Sequence, residues 1–379
     1  MAQKNILIIS GEPSGDLQAA NLVKAILAIN PAIKISAVGG MHLEQAGAQI
    51  FYDIKDLSVM GFFDVLKKLP RFFALKKSIL GKITRDKPVA VILVDFSGFN
   101  LRLAKAINKS IPVIYYVSPQ VWASRPGRVK TIKKFIHRMI VLFKFEEEFY
   151  RRHAVSVDFV GSPLLDIVKP SLSKKEFCDR SELADSKITI ALLPGSRKAE
   201  IKNILPVMLK SAQIIQDKIK NAQFIIAKSP QVELDLYNGM LKKFRLESRI
   251  AEGRTYDCLN ACDFALVCSG TATLEAAIMQ KPFLIIYKMD LLNYLLYRPQ
   301  VKLACIGMVN IVAQRKIIPE FIQFHACPQK IADTALKILN NPKGLEQMKQ
   351  DLVQVKATLG ENGAASRAAR IILNFINNS

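Results

Sequence analysis

Residues 263–275, Asp263-Phe-Ala-Leu-Val-Cys-Ser-Gly-Thr-Ala-Thr-Leu-Glu275, join an apolar run to a helical pattern through a turn of small residues. The run stops at Ser269, and Leu274, Ala277 and Ile278 then recur at helical spacing. Strand, small-residue turn and helix in that order make a site for an anion. The free N–H groups of a first helical turn point outward, and the helix dipole favours negative charge there. The small side chains of Ser269, Gly270, Thr271, Ala272 and Thr273 let a phosphate approach the backbone, and Glu275 is placed to accept from ribose hydroxyls. A buried strand–helix unit with an ordinary cap fits the same pattern.

Outward from this stretch, β and α patterns alternate. Strands are expected at 6–9, 33–38, 89–94, 113–117, 139–143 and 156–160, with helices at 17–29 and 100–109. A polar, charged segment at 169–187 reads as a linker. Strands at 188–193, 223–227, 263–268 and 283–287 follow, with helices at 201–219, 233–244 and 273–279. The chain ends in helical patterns at 329–339 and 344–376. This predicts an α/β protein with two Rossmann-like domains facing a cleft, their parallel sheets covered by helices. The expected domains are 1–170 and 171–359. Ligands of such sheets bind beyond the carboxyl ends of the strands, so the loops there carry the function.

The composition fits. A chain of 379 residues exceeds one ordinary core, and 50% hydrophobic content suits buried parallel sheets. No apolar run is long enough to span a bilayer, and Met1-Ala-Gln-Lys4 enters a strand with no secretory pattern, which predicts a cytoplasmic protein. Of the six cysteines, Cys258, Cys262 and Cys268 come closest to a metal spacing; with no histidine nearby they read as buried thiols.

A net charge of +22 calls for an anionic partner: nucleic acid, phosphorylated substrate or anionic membrane. The densest cluster is Arg125, Arg128, Lys130, Lys133, Lys134 and Arg138, with no acid between. It lacks interleaved aromatic residues and a nucleic-acid module, so no nucleic-acid partner is assigned.

The loop Gly11-Glu-Pro-Ser-Gly-Asp16 follows the first strand but fails two templates. It lacks the third glycine of the dinucleotide fingerprint, and Asp16-Leu17 stands where a P-loop needs Lys and Ser or Thr. NAD-dependent dehydrogenases and P-loop NTPases are thereby disfavoured. Glu12 and Asp16 suit sugar hydroxyls, or Asp16 caps the helix at 17–29. In the second half, Ile188-Thr-Ile-Ala-Leu-Leu-Pro-Gly-Ser-Arg197 runs a strand into a tight turn. Arg197 has the planar fork to grip a diphosphate, with Ser196 and nearby amides as further donors; a structural turn with a surface arginine is the alternative. With residues 269–275 this suggests a nucleoside diphosphate held without a metal.

Several motifs in order resemble lipid-A-disaccharide synthases, inverting glycosyltransferases with two facing Rossmann-like domains, the GT-B arrangement. They are Gly11-Glu-Pro-Ser-Gly-Asp16, Met60-Gly-Phe-Phe-Asp-Val-Leu66, Asp95-Phe-Ser-Gly-Phe-Asn100 and Tyr116-Val-Ser-Pro-Gln-Val-Trp-Ala123. Phe159-Val-Gly-Ser-Pro163, Leu193-Pro-Gly-Ser-Arg197, Ser269-Gly-Thr-Ala-Thr-Leu-Glu275 and Asn310 complete the set, spanning nearly the whole chain. The resemblance implies transfer from UDP-2,3-diacylglucosamine to 2,3-diacylglucosamine 1-phosphate, giving the β-1,6-linked lipid A disaccharide precursor and UDP. It implies no cofactor, a role for Asn310 in orienting sugar or phosphate, and a C-terminal helix over about 360–379 that returns to the first domain. It also implies attachment to the cytoplasmic face of a Gram-negative inner membrane; oligomeric state stays open.

Such a reaction needs a base for the attacking hydroxyl and stabilisation of departing UDP. Arg197 and the 269–273 turn serve the second need. For the first, Asp95 directly follows the strand at 89–94 and is the leading candidate, with Asp16 and Glu12 behind it; capping the next helix is the other role for Asp95. Many relatives carry a second acid where Gly98 stands, Pro at Ser97, Trp at Ser124 and Pro at Val309.

The segment 61–83 repeats Phe62, Leu66, Leu69 and Phe73, then after Pro70 a second series of Phe72, Leu75, Ile79 and Ile83, with basic residues between. Two amphipathic helices are expected. Either they lie in an anionic interface, with Phe62, Phe63, Leu66, Leu69, Phe72 and Phe73 facing the membrane, or they are core helices with solvated lysines.

Overall fold

The computed structural model describes residues 4–57, 62–298 and 303–378, with side chains except at 56–57, 62–69 and 296–297. The chain forms two compact units: Met1–Pro163 with Leu359–Ser379, and Leu164–Thr358.

The first unit holds β1 (Asn5–Ser10), β2 (Lys34–Gly39), β3 (Gln49–Asp53), β4 (Ala90–Val94), β5 (Val113–Tyr116), β6 (Arg138–Val141) and β7 (Val157–Phe159). All pair in parallel, in the order β3-β2-β1-β4-β5-β6-β7. The sequence Ile6-Leu-Ile-Ile9 explains why β1 lies centrally. Successive side chains leave a strand on opposite faces, so Ile6 and Ile8 enter one core while Leu7 and Ile9 enter the other. Both faces must therefore be covered. Helix Pro13–Ile29 covers one, joined by the C-terminal helix Ala364–Asn377, whose Ala368, Ala369, Ile372 and Ile376 enter the same core. Arg367 fixes that helix by donating to the carbonyl of Val160 at 2.9 and 2.7 Å. Helices Phe62–Asp86 and Ser97–Ile107 cover the other face.

The second unit holds β8 (Ile188–Leu193), β9 (Ala222–Lys228), β10 (Ser248–Glu252), β11 (Phe264–Cys268), β12 (Phe283–Tyr287) and β13 (Glu320–Ile322). They are parallel in the order β10-β9-β8-β11-β12-β13. Helices Lys198–Lys218 and Pro328–Leu339 pack on this sheet through Ile201, Ile204, Leu205, Met208, Ile331 and Ala335.

Four expectations change. The segment at 169–187 is part of the second unit: it contains helix Lys174–Arg180, and the buried Asp257 carboxylate accepts from the amides of Ser171 and Leu172 at 2.7 and 2.9 Å. The helical pattern at 344–376 is two helices, Pro342–Thr358 and Ala364–Asn377, separated where Gly360 and Gly363 take positive φ. The pair of helices expected across Pro70 is one helix, Phe62–Asp86, with Pro70 inside it. Strands β3, β10 and β13 are additional to those expected.

Candidate active site

In the first unit the functional loops gather at the carboxyl ends of β1, β4 and β5. The chain turns sharply after β4, and Asp95 and Phe96 both take φ of 47°, a left-handed conformation unusual for residues with a side chain. The turn is held by the Asp95 carbonyl, which accepts from the Tyr115 hydroxyl and from Asn100 Nδ2 at 2.9 Å. Gly11 leaves room for the Phe96 ring; a Cβ there would fall 2.2 Å from a ring carbon. After β5, Val117 takes φ of 62°, which is costly for a β-branched residue. Strained backbone thus flanks one pocket of about 400 Å3, lined by Glu12, Asp95, Ser97, Val117, Ser118, Gln120, Val121, Ser124, Arg125 and Arg128.

The lining carries two carboxylates, Glu12 and Asp95, and two guanidiniums, Arg125 and Arg128. Burial, then the nearby Glu12 carboxylate, raises Asp95 from its ordinary value to about 6, while the Phe96 amide opposes the shift. Glu12 is exposed at the start of helix Pro13–Ile29. Burial, then the like charges of Arg125 and Arg102, lowers Arg128. Behind the pocket, Glu146 is buried and accepts from Trp122 Nε1 at 3.1 Å, and Ser118 Oγ lies 2.9 Å from the Tyr150 hydroxyl. These contacts fix the 117–124 loop from below.

Asp16 has a different job from either one expected. It lies inside helix Pro13–Ile29, buried, and its two carboxylate oxygens accept from the amides of Gly40 and His42 at 2.6 and 3.1 Å. It caps the start of the next helix, Met41–Gln45, and is absent from the pocket lining.

In the second unit, the turn after β8 brings Ser196 and Arg197 to the surface. Gly195 takes φ of 109°, and a Cβ there would sit 2.6 Å from a Glu200 carboxylate oxygen. That carboxylate accepts from the amides of Ser196 and Arg197 at 3.2 and 3.3 Å and pairs with the Arg197 guanidinium at 3.5 Å. An acid of the protein thus occupies the donors read as a diphosphate grip.

The turn after β11 is more open. Ser269 donates its amide to Ile286 and Thr273 Oγ1 donates to the Gly270 carbonyl at 2.8 Å. The amides of Gly270, Thr271 and Ala272 have no partner among the described residues. Glu275 hydrogen-bonds Tyr256, and burial pushes its carboxyl up to about 7.

Asn310 is structural. Its Nδ2 donates to the Ile318 carbonyl and Glu320 Oε1, both at 2.8 Å, and its Oδ1 accepts from the amides of Ile317 and Ile318, both at 2.9 Å. Every hydrogen-bonding position of the buried amide is used, which leaves none for sugar or phosphate. Of the residues expected to face a membrane, Phe72 turns inward, its ring 6.0 and 6.1 Å from those of Phe96 and Phe99. Phe73 is 68% exposed. The side chains of Phe62, Phe63, Leu66 and Leu69, and the Met60-Gly61 start of one motif, lie outside the described residues.

The sequence model of the lipid-A-disaccharide synthetase family matches residues 6–375. The chain belongs to this family. It is 41% identical to the lipid-A-disaccharide synthase of Syntrophus aciditrophicus, with all of both chains covered, and 37% identical to that of Myxococcus xanthus, covering 98% of this chain and 97% of the relative. It is a glycosyltransferase of lipid A biosynthesis, taking a nucleotide sugar and an acceptor. Among solved structures it is similar to a putative UDP-N-acetylglucosamine 2-epimerase from Listeria monocytogenes, with TM-score 0.65 at 12% identity over 100% of this chain and 98% of that one. A sucrose-phosphate synthase from Thermosynechococcus elongatus gives TM-score 0.60 at 12% identity over 99% and 100%. The α/β fold is that of GT-B glycosyltransferases and epimerases.

Asp95 and Glu12 are legible in the sequence as site residues; their neighbours in the pocket are not. Ser118 and Trp122 lay within a quoted motif and Arg125 and Arg128 within the cationic cluster, but nothing in the sequence joined them to Asp95. Glu146 lies in the run Glu146-Glu-Glu148, which reads as a solvated face.

Proposed function

We propose that this chain transfers the diacylglucosaminyl group of UDP-2,3-diacylglucosamine to the 6-hydroxyl of 2,3-diacylglucosamine 1-phosphate, inverting C1 and needing no metal ion. The observation that carries this is Asp95, a carboxylate raised to about 6 in a polar pocket flanked by strained backbone. Near neutral pH such a group is mostly ionised yet basic enough to take a hydroxyl proton as bonding begins. The acceptor oxygen attacks C1, the bond from C1 to the diphosphate breaks, and the proton passes to Asp95. Negative charge grows on the departing UDP. The amides of Gly270, Thr271 and Ala272 supply donors for it, Arg197 adds positive charge as UDP displaces Glu200, and Glu275 takes ribose hydroxyls. Incubating the protein with both substrates tests the reading: UDP and disaccharide should form together, and Arg197→Ala should abolish both with the fold intact.

The substrates carry acyl chains, and we assign the outer face of helix Phe62–Asp86 to the membrane surface. Phe73, Lys76, Lys77, Leu80, Gly81 and Thr84 line a shallow hollow there, apolar and basic together. No helix among the described residues is long and apolar enough to cross a membrane. The protein should sediment with anionic vesicles at low salt and leave them at high salt; indifference to vesicle charge contradicts the assignment.

A further inference from the structure

We infer that Arg125 and Arg128 form the subsite that holds the acceptor's phosphate monoester. The inference rests on the transfer reading above and adds to it the residues that select a phosphorylated acceptor. Both side chains line the pocket that contains Asp95. They belong to the short turn Pro126–Arg128 and the residue before it, directly after the Val121–Ser124 helix that forms the pocket wall. The charges that perturb Arg128 are mainly two other guanidiniums, Arg125 and Arg102. No ion pair joins Arg128 to a carboxylate among the described residues, whereas Arg138, from the same basic cluster, is held in a two-pronged pair by Asp158. An anion beside Arg128 relieves the like-charge repulsion it feels from Arg125 and Arg102. Guanidiniums match a phosphate with two parallel N–H donors each, and a phosphate monoester carries nearly two negative charges at neutral pH.

The lining holds both acids and cations. Glu12 is the neighbouring charge that acts on Asp95, and Arg125 and Arg102 are those that act on Arg128. One molecule with a hydroxyl to lose and a phosphate to anchor suits a pocket lined by both kinds of group. Ser124 adds a small side chain to the same lining.

The test compares the phosphorylated acceptor with the same diacylglucosamine lacking its phosphate. The wild type should favour the phosphorylated form by roughly 10–100-fold in kcat/KM, the range for losing a charged hydrogen-bonded pair. Arg125→Ala and Arg128→Ala should erase that preference, chiefly by raising KM for the phosphorylated acceptor; Arg128→Lys should restore part of it. Equal use of both acceptors by the wild type, or equal losses on both by the variants, overturns the subsite. Binding is read separately from Trp122, the single tryptophan, which sits in the same loop. Glucosamine 1-phosphate should change its emission where glucosamine does not, and Arg128→Ala should remove the response. An equal response to inorganic phosphate at the same concentration would indicate a free-phosphate site and contradict the acceptor assignment. Arginine-dependent binding without any turnover would overturn the transfer reading and leave the subsite standing. Turnover blind to the phosphate would do the reverse.

Discussion

The indole N–H of Trp122 donates to Glu146 Oε1 at 3.1 Å, so the pocket loop after β5 hangs from a buried carboxyl on helix Lys144–Arg152, which follows β6. Burial pushes Glu146 up to about 7, against the opposing pull of Trp122 and the Leu142 amide. Glu146 therefore changes charge near neutrality beneath the pocket. Its folded value lies above the ordinary 4.5, so the folded state binds this proton more tightly, and stability from this group declines as pH rises from about 4.5 to about 7. Trp122 emission should titrate with a midpoint near 7, and Glu146→Gln should flatten the curve and weaken the pH dependence of stability. A flat wild-type curve between pH 5 and 9 contradicts the coupling.

With the diphosphate grip proposed above, Glu200 and UDP would compete for the same donors. The Glu200 carboxylate accepts from the Ser196 and Arg197 amides and pairs with the Arg197 guanidinium. Arg197→Ala should weaken UDP binding by about 1.5–3 kcal/mol, the range for a charged hydrogen bond. Glu200→Ala removes both a helix cap and a competing negative charge. It should cost about 1 kcal/mol of stability while tightening UDP several-fold. Calorimetric titration checks both; unchanged UDP affinity in Arg197→Ala contradicts the assignment of the diphosphate grip.

Glu275 should release a proton when UDP binds. Its carboxyl is raised to about 7 by burial, so near pH 7 a large fraction is protonated. Ribose hydroxyls that donate to it favour the ionised form and lower its value. Calorimetry in two buffers of different ionisation enthalpy should show net proton release at pH 7, absent in Glu275→Gln. No buffer dependence would remove Glu275 from the ribose site.

How far the sequence reached depends on burial. The central strands β1, β4, β8 and β11 are buried on both faces, so each is a continuous apolar run that stands out in the sequence. Strands β3, β10 and β13 lie at sheet edges and mix polar with apolar residues, as in Ser248-Arg-Ile-Ala-Glu252, which hides them. The same logic divides the site. Asp95 was legible because it ends an apolar strand. Asp16 and Asn310 have the residue types of ligand-binding groups, and only their hydrogen bonds, to residues at least 24 positions away for Asp16 and up to 10 away for Asn310, assign them to the scaffold. Pro70 ended a helix in the one-dimensional reading, yet the helix continues through it while Phe72, Leu75, Ile79 and Ile83 pack onto the core. A proline penalty of roughly 3 kcal/mol is comparable to burying one or two such side chains.

Asp95 offers the most direct test. Its folded value of about 6 lies above the ordinary 3.8, so the folded protein binds the proton more tightly, and stability declines as pH rises from about 4 to about 6. Above that, the buried charge costs about 2–3 kcal/mol. Asp95→Asn should therefore melt no lower than the wild type at pH 8 while losing transfer. The decisive measurement is the pH profile of disaccharide formation from UDP-diacylglucosamine and the monosaccharide phosphate, in wild type and Asp95→Asn. The account predicts an acid limb near pH 6 in the wild type and a rate at least about 100-fold lower in a fully folded variant. A folded Asp95→Asn protein that transfers at the wild-type rate would contradict it.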